Sequence, residues 1–362
     1  MEREKDSLRP AITAAVDACV KAGLFDKARA LAVEMDMRGF SPGVELFTSL
    51  IAMASDWEEA SGILQDMQLA QVAPDTVTFT AAIKACRRGG DLSAALALLE
   101  RMRSGEGQSG VDEVAYVETA AVCATARDDA RAVGLLAKMR EDGVKPGPMM
   151  YGAVIDACAR TGNWQRALDL LEGMEKGEDK VRPWVIHFSS AIFACAVGLQ
   201  PGKSIELLSR MLRRGLKPNA TCVNAAMHGF SLIKDWEGAM ELLAAMTHDY
   251  GVSPDTISYN TAMAACVNGG NPYQARTLLC KMRSAHPVNG AATAARSGNT
   301  PLPDTGSFNI VLKAVGVQLG AAGHVEASAL LDDLRARGLK MDAMTIGAAK
   351  AAGVQIDSFS KE

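Results

Sequence analysis

The sequence is poor in aromatic residues and contains no long hydrophobic run. Phe, Trp and Tyr together make up 5% of its 362 residues. No stretch approaches the roughly 18 consecutive apolar residues of a membrane-spanning helix. The first ten residues, MEREKDSLRP, mix both charge signs and lack the pattern of a signal or transit peptide. We therefore expect neither contact with a membrane nor a targeting segment within this sequence.

Motifs of catalysis are also missing. The sequence has no C-x-x-C pair, no P-loop and no acidic cluster of the kind that holds a metal in a nuclease. His324-Val325-Glu326 matches the His-x-Glu of zinc deaminases, but no cysteine follows it, so the match is coincidental. We expect no catalytic residue, no bound metal and no cofactor. Any catalysis would belong to a recruited partner.

A short pattern recurs along the whole chain. A proline turn followed by a small apolar run appears as APDTVTFTAAIKAC from Ala73, KPGPMMYGAVIDAC from Lys145 and VSPDTISYNTAMAAC from Val252. The spacing between successive copies is about 35 residues, which is typical of a solenoid built from one small repeated unit. Few aromatics and abundant Ala, Leu and Met favour helices packed closely on helices, so the predicted class is all-α.

Cysteine and methionine each form a row with the same period. Residues at equivalent positions of a solenoid lie one repeat apart, so the cysteines predict a row of small buried side chains rather than disulfides or metal ligands. Cys222 and Cys280 lie outside the row. The cysteine row comprises Cys19, Cys86, Cys123, Cys158, Cys195 and Cys266, and the methionine row comprises Met35, Met67, Met102, Met139, Met174, Met211, Met246 and Met282.

Each copy has the signals of a helical hairpin. Asp56, Asn163 and Asp235 precede the second helix and are suited to cap its N-terminus. A Gly-x-x-Pro exit then ends that helix. Residues 1–8 precede the repeats, residues 343–362 form a capping helix and tail, repeat two is three residues short, and residues 286–303 are predicted to be a flexible loop. The nine predicted repeats are 9–43, 44–75, 76–112, 113–147, 148–184, 185–219, 220–255, 256–304 and 305–342.

Repeat eight carries a family resemblance through Tyr259-Asn260-Thr261, Cys266, Ala275, Met282 and Pro303-Asp304. The chain resembles a P-class pentatricopeptide repeat protein over residues 9–353. This resemblance implies a right-handed α-solenoid that binds single-stranded RNA at one base per repeat, running 5′ to 3′ from the N-terminal repeat. It also implies RNA processing, stabilisation or translation in a chloroplast or mitochondrion. The alternative is a protein-binding scaffold of tetratricopeptide type.

Two side chains per repeat are implied to read the base: the fifth residue of the repeat and the last. Thr and Ser leave room for a purine, Asn suits a pyrimidine, and an ionised Asp accepts hydrogen bonds only. The pairing rules of the family imply G for Thr with Asp, A for Ser with Asn, and U for Asn with Asp, which makes the target NGGNNAUUU. The assigned pairs are Thr48 with Asp75, Thr80 with Asp112, Ser189 with Asn219, Asn224 with Asp255, Asn260 with Asp304, and Asn309 with Asp342.

Three repeats lack such a pair. Repeat one combines Thr13 with Gly43, repeat four combines Val117 with Gly147, and repeat five combines Gly152 with Trp184. Val117 and Gly152 are expected to tolerate any base. For Trp184, stacking on a base and packing within the protein both remain open.

The resemblance further implies an apolar side chain at the second position of each repeat, where it stacks on the bases. Pro10, Glu45, Thr221 and Gly306 depart from this pattern. For the phosphates, Lys21, Arg88 and Arg160 share one position near the end of the first helix, with solvated helix ends as the alternative. The net charge is −4, but we count an excess of about three positive charges in the first helices. The predicted stacking residues are Val77, Val114, Met149, Ile186 and Ile257.

Overall fold

The computed structural model describes residues 14–16, 18–37, 43–105, 110–177, 179–286, 300–319 and 323–354. Within these ranges the chain forms helices and turns and no β-strand. No helix in the same ranges is long and apolar enough to cross a membrane. The predicted extension 1–8, residues Pro10 and Thr13, most of the insertion and the tail from residue 355 lie outside the described residues.

In repeats two, three and five to nine, the first helix begins shortly after a proline turn, whereas the helix of repeat four follows Gly110-Val111-Asp112. The helix of repeat two ends earlier than the others, which is where the sequence is three residues short. A further first helix follows repeat nine. From repeat two onward the first helices are Val44–Met53, Thr76–Gly89, Glu113–Thr125, Pro148–Thr161, Val185–Val197, Ala220–Leu232, Thr256–Asn268, Thr305–Leu319 and Ala343–Ala351.

Most second helices begin after a side-chain cap, and several end at a glycine with a left-handed conformation. Asp56, Asn163 and Asp235 accept hydrogen bonds from the N–H three residues ahead, as predicted. At the exit, Gly143 and Gly215 have φ of 73° and 69°, a left-handed conformation that a side chain would disfavour. The second helices are Phe25–Met37, Trp57–Leu69, Leu92–Arg103, Asp129–Glu141, Trp164–Lys176, Pro201–Arg213, Trp236–His248, Pro272–Ala285 and His324–Ala336.

The chain divides into two compact units, residues 1–183 and residues 184–362. Within each unit, a first helix contacts the second helix of its own repeat and the first helix of the next repeat. Each unit is therefore a two-layer stretch of α-solenoid, with the first helices side by side in one layer. Within each unit, this arrangement places the N-terminal ends of successive first helices on one side of the layer.

The methionine row from Met67 onward and the cysteine row from Cys86 onward pack in the core. Met67, Met139 and Met211 are fully buried, as are the cysteines of the row from Cys86 onward. Burying each of these methionine side chains contributes about 1.5–3 kcal/mol. Cys19 is only partly buried, Cys222 is buried although it lies off the row, and Cys280 is exposed. The structural interpretation of the cysteine row is confirmed for Cys86, Cys123, Cys158, Cys195 and Cys266.

A tyrosine, an aspartate and an arginine join neighbouring repeats in the first unit. The Tyr151 hydroxyl donates to Asp179 Oδ2 at 2.7 Å, and Arg140 of the preceding repeat donates to the same oxygen at 2.6 Å. Desolvation raises the pKa of Asp179, but the hydrogen bonds from Arg140 and Tyr151 outweigh it, so the pKa is lowered overall. The equivalent group one repeat earlier consists of Arg103, Tyr116 and Asp142.

Thiol labelling should separate the buried row from Cys280. Burial raises the pKa of Cys86 to about 12, so only about 10⁻⁴ of that thiol is ionised at pH 8. We expect iodoacetamide to label Cys280 in the native protein and to label Cys86 only after unfolding, as read by peptide mass spectrometry. Labelling of Cys86 at the rate of Cys280 would contradict this packing. A Cys280→Ser variant is the control.

Asp179→Asn should destabilise the protein at neutral pH. It removes the charge that faces Arg140 while keeping the shape, and we expect a cost of about 1–3 kcal/mol in urea unfolding. Because the folded pKa of Asp179 is depressed, its contribution is present above about pH 4 and is lost as the pH falls through the folded pKa. The gap between wild type and variant should therefore close in acid. Glu206→Ala, which breaks an exposed pair with Lys203, should change stability by less than about 0.5 kcal/mol.

Candidate nucleic-acid interface

The predicted reading residue at the end of a repeat is also the N-cap of the next first helix. Its Oδ1 accepts the N–H three residues ahead, which satisfies a helix N-terminus and holds the side chain in one orientation. In the described part of the chain, Oδ2 of Asp75, Asp112, Asp255 and Asp304 accepts no hydrogen bond and remains available. The capping distances are 2.7 Å for Asp75, 2.9 Å for Asp112, 3.0 Å for Asn219, 2.7 Å for Asp255, 2.8 Å for Asp304 and 2.7 Å for Asp342.

Three of the predicted pairs are in direct contact. In each, Nδ2 of the fifth-position asparagine donates to Oδ1 of the last-position aspartate, so two residues more than 30 positions apart present one polar surface. The contact in repeat eight forms despite the insertion between its partners. The distances are 3.2 Å for Asn224 to Asp255, 3.0 Å for Asn260 to Asp304 and 3.1 Å for Asn309 to Asp342.

A hydroxyl at the third position of the following repeat supports these pairs, and sequence reasoning missed it. Ser307 donates to Asn260 Oδ1 at 2.7 Å and contacts Asp304 Oδ1 at 2.9 Å. Thr78 lies 2.7 Å from Thr48 and donates to Asp75 at 2.7 Å, which links the two predicted readers of repeat two. The signal was available as Asp-x-x-Ser/Thr, a variant of the capping box. The third-position hydroxyls are Thr78, Ser258, Ser307 and Thr345, all fully buried.

These hydrogen bonds favour the ionised form of Asp255 and Asp304. Desolvation raises the pKa of Asp255, but the N–H and hydroxyl of Ser258 and the amide of Asn224 outweigh it, and the pKa is lowered overall. The pKa of Asp304 is lowered in the same way by Asn260 and Ser307. An ionised carboxylate only accepts hydrogen bonds. A ligand group facing it must therefore donate.

Repeats two and three line a groove of about 380 Å³, within the roughly 300–1,000 Å³ of ligand pockets. Its lining combines residues predicted to read bases, to stack on bases and to bind phosphates. The Thr80 hydroxyl donates to the Thr76 carbonyl at 2.8 Å, which leaves its oxygen as an acceptor. The predicted site residues in the lining are Thr48, Thr80, Asp112, Val77, Val114 and Arg88.

In repeat six the predicted readers do not bond to one another. Asn219 Oδ1 caps the next helix at Cys222 N, at 3.0 Å, which leaves the Nδ2 donors for other partners. The Ser189 hydroxyl contacts the Cys222 thiol instead. Cys222 is the third residue of repeat seven, the position at which other repeats have a hydroxyl, and this explains why it lies off the cysteine row.

All five predicted stacking residues project into solvent at the N-terminal ends of the first helices. They are large apolar groups, so their exposure is otherwise unfavourable. Met344 occupies the same position on the last helix and is 71% exposed, although the sequence interpretation assigned that helix only a capping role. The exposed fractions are 63% for Val77, 48% for Val114, 62% for Met149, 63% for Ile186 and 62% for Ile257.

The predicted phosphate-binding residues differ in their surroundings. Lys21 is exposed. Arg88 donates to the carbonyls of Ala52 and Ala54 at 3.3 and 2.5 Å, and so caps the first helix of repeat two. Arg160 pairs with Asp156 at 2.9 Å. Arg88 and Arg160 therefore already have partners within the protein.

The first helices carry a smaller excess of positive charge than the sequence analysis counted. Glu45 and Glu113 also lie in first helices and offset part of it. In repeat three, Lys84 and Arg87 share Glu118 at 3.5 and 3.2 Å. The positive charge of repeat three is therefore partly neutralised by Glu118 of repeat four.

Repeat five and the start of repeat six provide a different surface. Trp184 is the N-cap residue of helix Val185–Val197 and is 50% exposed. The backbone N–H of Trp184 donates to His187 Nδ1 at 2.8 Å, and the centroids of the two side-chain rings lie 5.9 Å apart. In the described residues, no group of three or more His, Cys, Asp and Glu side chains is placed to hold a metal ion.

The paired helices and the repeated capping side chains define a helical-repeat protein of the solenoid class. The model of the pentatricopeptide repeat domain matches residues 62–106, 111–158, 135–197 and 206–269. A second model, of the single repeat, matches residues 13–40 and 257–286. Since the first model alone covers more than half of the sequence, the chain belongs to the pentatricopeptide repeat family.

The curated relatives are longer than this chain. A pentatricopeptide repeat-containing protein of Arabidopsis thaliana is 28% identical over 146 residues, 40% of this chain and 25% of the relative. A chloroplastic one from the same plant is 26% identical over 214 residues, 58% of this chain and 27% of the relative. The mitochondrial 15S rRNA processing factor CCM1 of Candida albicans is 20% identical over 156 residues, 43% and 20% respectively. This chain thus matches less than a third of each relative.

Two solved structures share the fold. The maize protein PPR10, in complex with an 18-nt psaJ RNA element, aligns with a TM-score of 0.52 and 19% identity, covering 96% of this chain and 53% of that one. Yeast Rmd9p, in complex with a 16-nt target RNA, aligns with a TM-score of 0.54 and 12% identity, covering 94% and 84%. At these identities the likeness concerns the fold alone.

Substitutions at Asp255 should separate its structural role from its charge. Asp255→Ala removes the N-cap of helix Thr256–Asn268, and we expect it to cost about 1 kcal/mol in urea unfolding. Asp255→Asn keeps an equally good cap and should stay within about 0.5 kcal/mol of wild type. If Asn were as damaging as Ala, the negative charge rather than the hydrogen bonds would hold this helix start.

Proposed function

We propose that this protein binds single-stranded RNA sequence-specifically, with one base at each repeat. The observation that carries the proposal is the run of three joined pairs: Asn224 with Asp255, Asn260 with Asp304, and Asn309 with Asp342. Each pair lies at the start of an exposed first helix, one repeat from the next. A protein-binding surface has no need for the same amide and carboxylate in three successive repeats.

The chemistry of these pairs favours uracil. The ionised aspartate uses Oδ1 within the protein, and in Asp255 and Asp304 it leaves Oδ2 to accept a ring N–H, which uracil has and cytosine lacks. The amide oxygens of Asn224 and Asn309 have no hydrogen-bond partner in the described part of the chain. An unpaired buried acceptor costs about 1–3 kcal/mol, so these groups are suited to a ligand that completes their hydrogen bonds.

The threonine repeats favour guanine. The groove of repeats two and three places the small Thr80 beside Asp112, which combines room for a purine with an acceptor for a ring N–H. Exposed Val77 and Val114 line the same groove and offer flat apolar contact to base faces. Lys84 and Arg88, also in the lining, add positive charge near the path of the phosphates.

Occupation of such a site has consequences without any catalysis by the protein itself. A bound strand is shielded from nucleases and kept unfolded for processing or translation, and a recruited RNA-processing protein would supply any cleavage. The relatives named as chloroplastic and as a mitochondrial rRNA processing factor support an organellar transcript as the target. The RNA-bound forms of PPR10 and Rmd9p support an RNA strand as the ligand.

Affinity for short RNAs tests the proposal. We expect NGGNNAUUU to bind at least about 100-fold more tightly than NUUNNAGGG, because five bases would each lose about one hydrogen bond. Asn260→Thr should shift the preference at the eighth base from U towards G. Thr261→Ala, on the same helix but outside the pair, is the matched control and should change nothing.

Three results would each contradict a part of the proposal. Equal binding of the two RNAs would refute the base assignment. Failure to bind any single-stranded RNA would favour the protein-binding scaffold. An unchanged preference in Asn260→Thr would mean that repeat eight does not read a base.

A further inference from the structure

Repeat four has neither side chain of the reading pair, since Val117 and Gly147 stand at the fifth and last positions. The last position is nevertheless occupied by a carboxylate. Glu113, the first residue of the same repeat, folds across so that its Oε1 accepts the N–H of Gly147 at 3.0 Å. In repeats two, three, seven, eight and nine the aspartate at the last position supplies this carboxylate itself.

Glycine at position 147 leaves the room that Glu113 fills. A β-carbon on Gly147 would lie 3.1 Å from the carboxyl carbon of Glu113 and 3.2 Å from its Oε2. Both distances are shorter than ordinary van der Waals contact. The Glu113 carboxylate thus stands where the side chain of a last-position aspartate begins.

The first position of a repeat is suited to this reach. Thr76 donates to the Gly110 carbonyl at 3.5 Å, and Thr305 donates to the Lys340 carbonyl at 3.3 Å. In both cases a first-position side chain contacts the backbone two residues before the end of its own repeat. Glutamate is longer than threonine by two bonds, and it reaches the last position itself.

Like a last-position aspartate, Glu113 binds the protein with one oxygen and leaves the other available, but it accepts the N–H of Gly147 itself and not the N–H three residues ahead. One oxygen binds a backbone N–H at the start of the next first helix, and in the described part of the chain no group donates to the other, Oε2. Val114 and Met149, 48% and 62% exposed, project on either side at the second positions of repeats four and five. Repeat three has the same arrangement, since Asp112 and the exposed Val77 and Val114 line one groove.

We propose that Glu113 is a base-reading residue and supplies the acceptor of repeat four in place of the missing aspartate. Repeat four then selects a base that presents a ring N–H, guanine or uracil, over adenine and cytosine. This inference rests on the proposed function, because it assumes that an RNA strand runs along the repeats and places one base at repeat four.

The test varies only the fourth base of NGGXNAUUU. For the wild-type protein we expect G and U to bind about tenfold more tightly than A and C, the effect of about one hydrogen bond. Glu113→Gln keeps the acceptor for Gly147 but presents an amide N–H₂ in place of Oε2. It should abolish the preference or reverse it towards A and C. If Glu113 only holds Gly147, the Gln variant would keep the wild-type preference, and the inference would be wrong.

A double variant provides the rescue. Glu113→Thr with Gly147→Asp restores the arrangement of repeats three, eight and nine, and should recover the preference for G and U that Glu113→Thr alone loses. Thermal melting of each variant checks that the fold is intact. If base four shows no preference while bases two, three and seven to nine keep theirs, this inference fails and the proposed function stands. Loss of all RNA binding in the wild-type protein would overturn both.

Discussion

The hydrogen bond between a helix N-terminus and the side chain that ends the preceding repeat sets the geometry of this protein. A helix leaves its first N–H groups without partners, and Asp75, Asp255 and Asp304 satisfy one of them with Oδ1. Where it forms, this bond starts a first helix at a defined residue. It also fixes the direction of the second carboxylate oxygen. One side chain therefore determines both where a repeat begins and where an acceptor is presented, so the structural and functional periods cannot drift apart.

The supporting contacts explain why the pairs tolerate variation in the chain between their members. Asn260 and Asp304 belong to one repeat with an insertion, yet they meet at 3.0 Å because Ser307 and the helix start hold the aspartate independently of the loop. Repeat four shows the same tolerance in another form. There the helix starts without a side-chain cap at Gly147, and Glu113 brings a carboxylate to the same place from the first position.

Much of the fold was predictable from the sequence, because one period governs packing along the whole chain. Buried Cys158 and Met174 could be placed in the core without coordinates, since equivalent residues of a solenoid share an environment. The candidate site was predictable only as single positions. The sequence did not predict that Arg88 binds the Ala54 carbonyl or that Arg160 pairs with Asp156. A guanidinium can be bound by groups on another helix or one turn away on the same helix, and these compete with a phosphate.

The sequence by itself determined the helical hairpins, their boundaries near Pro-Asp turns and the all-α class, because these follow from local capping, glycine exits and apolar spacing. Only the tertiary structure decided which polar groups meet. Asn309 and Asp342 are separated by a whole repeat, and Glu113 reaches Gly147 across another, at distances that depend on how two helices pack. Periodicity states that positions are equivalent. It does not state that a side chain from a different position brings a carboxylate to the place of the expected one.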